Sequence, residues 1–205
     1  MSYKLIGILI LLWFLTGKSY SEEYYLPINS YDRTELSLIH LTNIGTFGEM
    51  RKARPGIPAH LHTGIDIKRP SKNYVNEAIF SVGKGMVISV RDDGPYAQII
   101  IEHSYDNMLF WTVYEHIAGI KIEVGDLVDE NTIIARFMNK IELNKFGWQF
   151  DHFHFEILKV PPKKIKAGKT LPQHHFTTFN LVCYTFEDLR KYYYDPLVFL
   201  DDLLN

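Results

Sequence analysis

Two histidines stand one residue apart in Asp151-His152-Phe153-His154-Phe155-Glu156-Ile157, a run with the apolar alternation of a half-buried strand. Side chains in a strand alternate faces, so His152 and His154 project to the same side, about 6.6 Å apart along the strand. Phe153, Phe155 and Ile157 then form the opposite, buried face. Ninety residues upstream lies a second group, His62-Thr63-Gly64-Ile65-Asp66. Two imidazoles on one face, with a further His and Asp, are ligand types that suit Zn²⁺. Three of the four can bind a metal while the fourth stands beside it, which leaves a coordination position for water.

The elements that must position these residues read as short strands. Ala78 to Val82 and Gly85 to Val90 are split by Gly83-Lys84. Ala97 to Glu102 and Leu109 to Glu115 flank Ser104-Tyr105-Asp106-Asn107, a hairpin pattern. Val124-Gly125-Asp126 marks another turn before Thr132 to Ala135. Closely spaced β-branched strands with turn signals predict a mainly β, antiparallel domain. After the His-Phe-His strand come Pro161-Pro162 and a loop with Lys163, Lys164, Lys166 and Lys169, read as solvated surface. A short C-terminal helix is expected over Phe186 to Tyr193, stopped by Pro196, with an apolar tail after it.

The chain begins with Lys4 and an apolar run from Leu5 to Leu15, followed by Ser19-Tyr20-Ser21. This pattern predicts a signal peptide over 1–21, too short for a membrane span, which needs about 20 apolar residues. The expected organisation is then a lead-in over 22–45, a catalytic domain over 46–160, and a basic loop with a helical extension over 161–205 packed on that domain. The expected location is extracytoplasmic, periplasmic or secreted, with no stable membrane span once the leader is removed. Net charge is −2, and a leader carrying Lys4 and Lys18 without any acid takes the remainder to −4. That balance argues against nucleic acid as a partner. The single cysteine, Cys183, rules out an intrachain disulfide and reads as a buried thiol.

These motifs resemble those of the M23 zinc metallopeptidases, the lysostaphin and LytM-like peptidoglycan endopeptidases. His62-Thr63-Gly64-Ile65-Asp66 is similar to the family's HxGxD element and His152-Phe153-His154-Phe155-Glu156-Ile157 to its HxHFEI element. Tyr114-Glu115-His116-Ile117, then Val124-Gly125-Asp126-Leu127-Val128, resembles its Y-x-H-L…V-G-D-x-V segment, and Phe47-Gly48-Glu49-Met50-Arg51 its F-G-x-R opening. Four elements in order, over about residues 43–160, form a specific signal.

Carried over position by position, the resemblance implies Zn²⁺ held by His62, Asp66 and His154, with His116 and His152 as unliganded catalytic histidines. The implied fold is the antiparallel β domain of M23 peptidases, of duplicated-hybrid type. The implied activity is hydrolysis of amide bonds in peptidoglycan stem or cross-bridge peptides by a zinc-bound water. One free histidine would orient or deprotonate that water while the other stabilised the oxyanion or protonated the leaving amine. Glu156 shares the histidine face and reads equally as a carboxylate partner that fixes an imidazole tautomer or as a plain strand residue. His40, His60 and His103 read as structural, and His174-His175 as a poor candidate for an extra metal clip, since adjacent residues in an extended segment face opposite ways.

The sequence departs from the family at Glu115, where a small residue is usual, and over Met138 to Asp151. Family members carry a Gly/Ser/Thr-rich loop there, whereas this segment is bulky and holds only Gly147. That departure supports an alternative, a non-catalytic M23-like partner of another wall hydrolase. A metal-sequestering protein is a third reading, one with no task for His116. The lead-in could cover the groove in a latent form, with Asn43 nearest the opening motif as the candidate blocking ligand. Peptidoglycan peptides are the expected substrate partner, and no regulatory partner is identified.

Overall fold

The computed structural model describes residues 23–204, so the leader expected over 1–21 lies outside the described residues. One antiparallel sheet organises the chain. Its strands are β1 (Ile65–Lys68), β2 (Gly85–Arg91), β3 (Gln98–Tyr105), β4 (Met108–Glu115), β5 (Leu127–Val128), β6 (His152–Leu158) and β7 (Tyr193–Tyr194). Strand β6 pairs along one edge with β4; along the other it pairs with β1 at its start and β7 at its end. Beyond β4 the order continues through β3 and β2 to β5. The mainly β, antiparallel expectation is what the fold shows.

Alternation along β6 divides the site from the core. Phe153, Phe155 and Ile157 are fully buried and pack with Ile65, Ile67, Tyr114 and Phe137. Residues of the N-terminal lead-in join this core. Tyr24, Leu26 and Ile28 are buried, Ile28 bridges to Ile79, and Leu41 bridges to Ile67 of β1.

The β3–β4 hairpin turns through only Asp106 and Asn107, at φ 46° and 63°. Two left-handed residues match the right-handed twist of the flanking strands, and Asp and Asn tolerate that conformation. The bulky 138–151 segment is not an open loop throughout: it holds a helix, α1 (Lys140–Phe146), and a 3-10 turn over Trp148–Phe150. Asn139 accepts from the Glu142 amide while the Glu142 carboxylate accepts from the Asn139 amide, a reciprocal cap that starts the helix. Gly147, at φ 115°, ends it.

The expected C-terminal helix is present as α2 (Phe186–Tyr192), capped by Thr185 and Asp188. Pro196 does more than stop it: it opens a further helix, α3 (Pro196–Leu204). Proline lacks an N–H that the first helical position leaves unbonded anyway, so it suits that place. In the basic loop, Lys163–Lys164 pair with Phe176–Thr177 as a small ribbon. Among the described residues no helix is long and apolar enough to cross a membrane.

Candidate metal centre and its flanking histidines

Strand register sets Asp66 opposite His154, because β1 and β6 pair His154 with Asp66 and Phe155 with Ile65. Directly opposed residues share a face. His62 reaches the same point from just before β1, and Gly64 makes that approach possible. A side-chain carbon on Gly64 would overlap the carbonyl oxygen of Phe155.

His62 Nε2, His154 Nδ1 and Asp66 Oδ1 form a tight triangle, with edges of 2.9 Å between the histidines and 3.0 and 3.1 Å to the carboxylate. The outer atom of each residue is committed elsewhere. His62 Nδ1 lies 2.9 Å from the Thr46 carbonyl oxygen, which only accepts, so that nitrogen carries the proton. His154 Nε2 likewise faces Glu156 Oε1 at 3.0 Å. Asp66 Oδ2 accepts from Arg51 Nη2 at 2.6 Å. Three lone pairs are thereby turned toward one another with no donor among them. Only a proton or a cation satisfies such a set.

Burial pushes the His62 imidazolium pKa down. With protons rather than a cation between the three, burial still opposes ionisation of Asp66, but hydrogen bonds from His154 and His62 outweigh it and hold that carboxyl well below the usual range. At His154 burial is again opposed, here by Asp66 and Glu156, and the pKa rises to about 10. The two nitrogens and one carboxylate oxygen fit Zn²⁺, whose tetrahedral sites use these donors at about 2.0–2.2 Å. Among the described residues this is the one such grouping of His, Cys, Asp and Glu.

Glu156 is buried and also accepts from Thr63 Oγ1 at 2.5 Å. Its Oε1 therefore stands between the outer nitrogen of His154 and the Thr63 hydroxyl. The sequence reading missed three contributors. Arg51, quoted only as part of an opening motif, is the ion-pair partner of Asp66. Thr63 and the Thr46 carbonyl carried no signal of their own.

His152 and His116 stand beside the triangle. His152 Nε2 is 3.7 Å from Asp66 Oδ1, and burial lowers its pKa to about 4. The rings of His116 and His152 lie 5.3 Å apart. Glu115, paired with His154 in register, already occupies the site face of β4, where Gln98 Nε2 donates to it. A strand continued through residue 116 would turn the next side chain away. Instead His116 takes φ 64°, which ends the strand and brings its ring beside His152. His116 Nδ1 lies 2.6 Å from the Pro95 carbonyl oxygen, so Nε2 keeps the lone pair. Burial lowers the His116 pKa as well.

The other histidines lie elsewhere. His60 bonds the Pro58 carbonyl, His40 is exposed, and His103 is buried between the Lys84 carbonyl and Thr112 Oγ1. Asn43 is exposed; it is the backbone of Thr42 and Gly45 that bonds the backbone of Asp66.

The fold and its centre can be set beside known proteins. No curated protein matches the chain. Among solved structures, lysostaphin from Staphylococcus simulans is 15% identical over 89% of this chain and 56% of its own, with a TM-score of 0.50. A zinc-containing peptidase from Vibrio cholerae is 25% identical, covering 66% of this chain, with a TM-score of 0.45. The chain spans 37% of that peptidase's length. The SpoIIQ–SpoIIIAH pore-forming complex is 18% identical over 83% of this chain and 98% of its own, with a TM-score of 0.44. The likeness to lysostaphin is one of fold. The model of peptidase family M23 matches residues 60–170, more than half of the sequence and the stretch that holds His62, Asp66, His116, His152 and His154. The chain belongs to peptidase family M23.

Proposed function

We propose that this protein is a zinc-dependent endopeptidase that hydrolyses amide bonds in the stem or cross-bridge peptides of peptidoglycan, working outside the cytoplasm. The observation that carries the reading is the convergence of three lone pairs from His62, Asp66 and His154, with two neutral histidines alongside. Family membership supports the substrate class, and the leader-like residues 1–21 support the location.

His62, Asp66 and His154 hold the metal. Bound Zn²⁺ supplies Lewis acidity to a carbonyl and makes water a competent nucleophile near neutral pH. Arg51 keeps Asp66 Oδ2 occupied, so the carboxylate offers Oδ1 alone. Glu156 and Thr46 keep the outer ring nitrogens protonated, so the inner ones stay available as ligands. His116 and His152 serve as the proton carriers. Burial lowers the pKa of both and favours the neutral imidazole, whose lone pair can take a proton from attacking water and pass it to the leaving amine. The complete set of five residues supports an enzyme over a purely binding member of the family.

Digestion of purified peptidoglycan by the zinc-loaded protein, with His154→Ala alongside, tests the reading. Released fragments bearing a new peptide terminus, absent with the variant, are expected in mass spectra. Zinc binding without any fragment would overturn it in favour of a binding or activating partner.

A further inference from the structure

His116 lies one residue past the end of β4, so its backbone is not held in the strand ladder. Besides His152 and His154, the rings packed on it come from the 138–151 segment and from the turn that segment supports. Phe150 packs on the His116 ring at 4.9 Å between centroids, and Tyr96 sits 6.0 Å from both rings. Pro95, beside Tyr96, supplies the carbonyl that binds His116 Nδ1.

The segment itself is rigidly mounted. Arg69, with a nearly buried side chain, donates from Nη2 to the Met138 carbonyl at 2.6 Å and from Nε to Asp151 Oδ1 at 2.9 Å, tying its two ends together. Its guanidinium also lies 4.6 and 4.9 Å from the ring centres of Tyr74 and Phe137. Leu143 and Met138 are buried with Ala118 in a small core that Phe146 and Phe150 complete. Phe146 in turn supports the Gly94–Tyr96 turn. A side-chain carbon on Gly94 would come within 3.1 Å of the Phe146 ring, so the turn rests directly on the end of α1.

We propose that Phe150 and Tyr96 are positioning residues for His116, holding its imidazole in one orientation with Nε2 free, and that the helical 138–151 segment exists to present them. This rests on the reading of His116 as a proton carrier. Both rings pack on His116 and on each other, so the role acts on proton transfer. A departure from the family that seemed to weaken the site thereby becomes part of it. Small misplacements of a catalytic group lower rates by up to about 10²-fold, which sets the scale of the effect.

The test uses Phe150→Ala and Phe150→Leu in the full chain, each also combined with His116→Ala. Phe150→Ala is expected to lower kcat about 10- to 100-fold while KM and zinc affinity, read by chelator competition, change less than about twofold. Phe150→Leu should regain most of the loss. In the His116→Ala background, Phe150→Ala should have no further effect, because a residue acting through another is silent once that other is gone. An undiminished effect in that background would overturn the proposal. Imidazole ¹⁵N spectra of the zinc-loaded protein give a readout independent of turnover. His116 should show a single Nδ1–H tautomer in the wild type and averaged tautomers in Phe150→Ala. Identical His116 resonances in the two proteins would also overturn it. If the wild type cleaves no peptide, the proposed function fails, while the spectra still decide the positioning role.

Discussion

Arg51 and Asp66 meet through one guanidinium nitrogen and one carboxylate oxygen, Nη2 to Oδ2, at 2.6 Å. The contact divides the carboxylate, leaving Oδ1 alone toward His62 and His154. The Glu156–His154 contact does the corresponding task on the other side. Partners of this kind typically change metal affinity by about 10–100-fold. Arg51→Ala and Glu156→Gln are each expected to weaken zinc binding on that scale in a chelator competition assay. Full affinity in either variant would show that the ligands orient themselves.

Gly64 lies directly against the Phe155 carbonyl of β6. Gly64→Ala would drive a methyl group into the Phe155 carbonyl, so β1 and β6 must separate. Overpacking of this kind costs about 1–3 kcal/mol. Urea denaturation of the metal-free variant should show a loss of at least that order, together with weaker zinc binding because Asp66 and His154 face each other across the same seam. An unchanged midpoint would mean that the strands yield more easily than their pairing suggests.

The centre was legible because its signals are local in sequence and periodic in space. His152 and His154 share a face by strand alternation alone, and the Gly64 spacing carries Asp66 into register. Other features lay outside that logic. The Asn139–Glu142 cap is a recognisable helix start, yet the expectation of a loop in that segment concealed it. Pro196 was read as a stop because proline breaks helix interiors, although it serves equally well as a first residue. Arg51, Phe150 and Tyr96 reach the centre across 15 to 34 positions of sequence, counted to Asp66 and His116. No periodicity encodes such tertiary contacts; only the folded chain brings them together.

His103 offers a pH test remote from the metal. It is fully buried, stacks on Phe110, and burial lowers its pKa from 6.5 to about 4. In the unfolded chain it titrates near 6.5, so between these values the unfolded state binds more protons and stability falls with falling pH. Its contribution is complete above the unfolded pKa and is lost progressively as pH drops through 6.5 toward 4. The loss amounts to roughly 3 kcal/mol. Denaturation curves at pH 7 and pH 4.5 should therefore differ more for the wild type than for His103→Gln. Equal differences would assign the acid sensitivity to other groups.

The left-handed backbone at His116 has a consequence for stability. An L-residue held at φ 64° is disfavoured by about 1–2 kcal/mol, a conformation that glycine adopts without that penalty. His116→Gly and His116→Ala lose the same imidazole and the same bond to Pro95, but only the alanine protein retains the strain. The glycine variant should therefore unfold at higher denaturant than the alanine variant, and equal midpoints would argue against strain at this residue. By this measure, a position that favours glycine on conformational grounds is occupied by histidine, and the fold carries a small, permanent local tension so that an imidazole stands beside His152 where the strand would otherwise have turned it away.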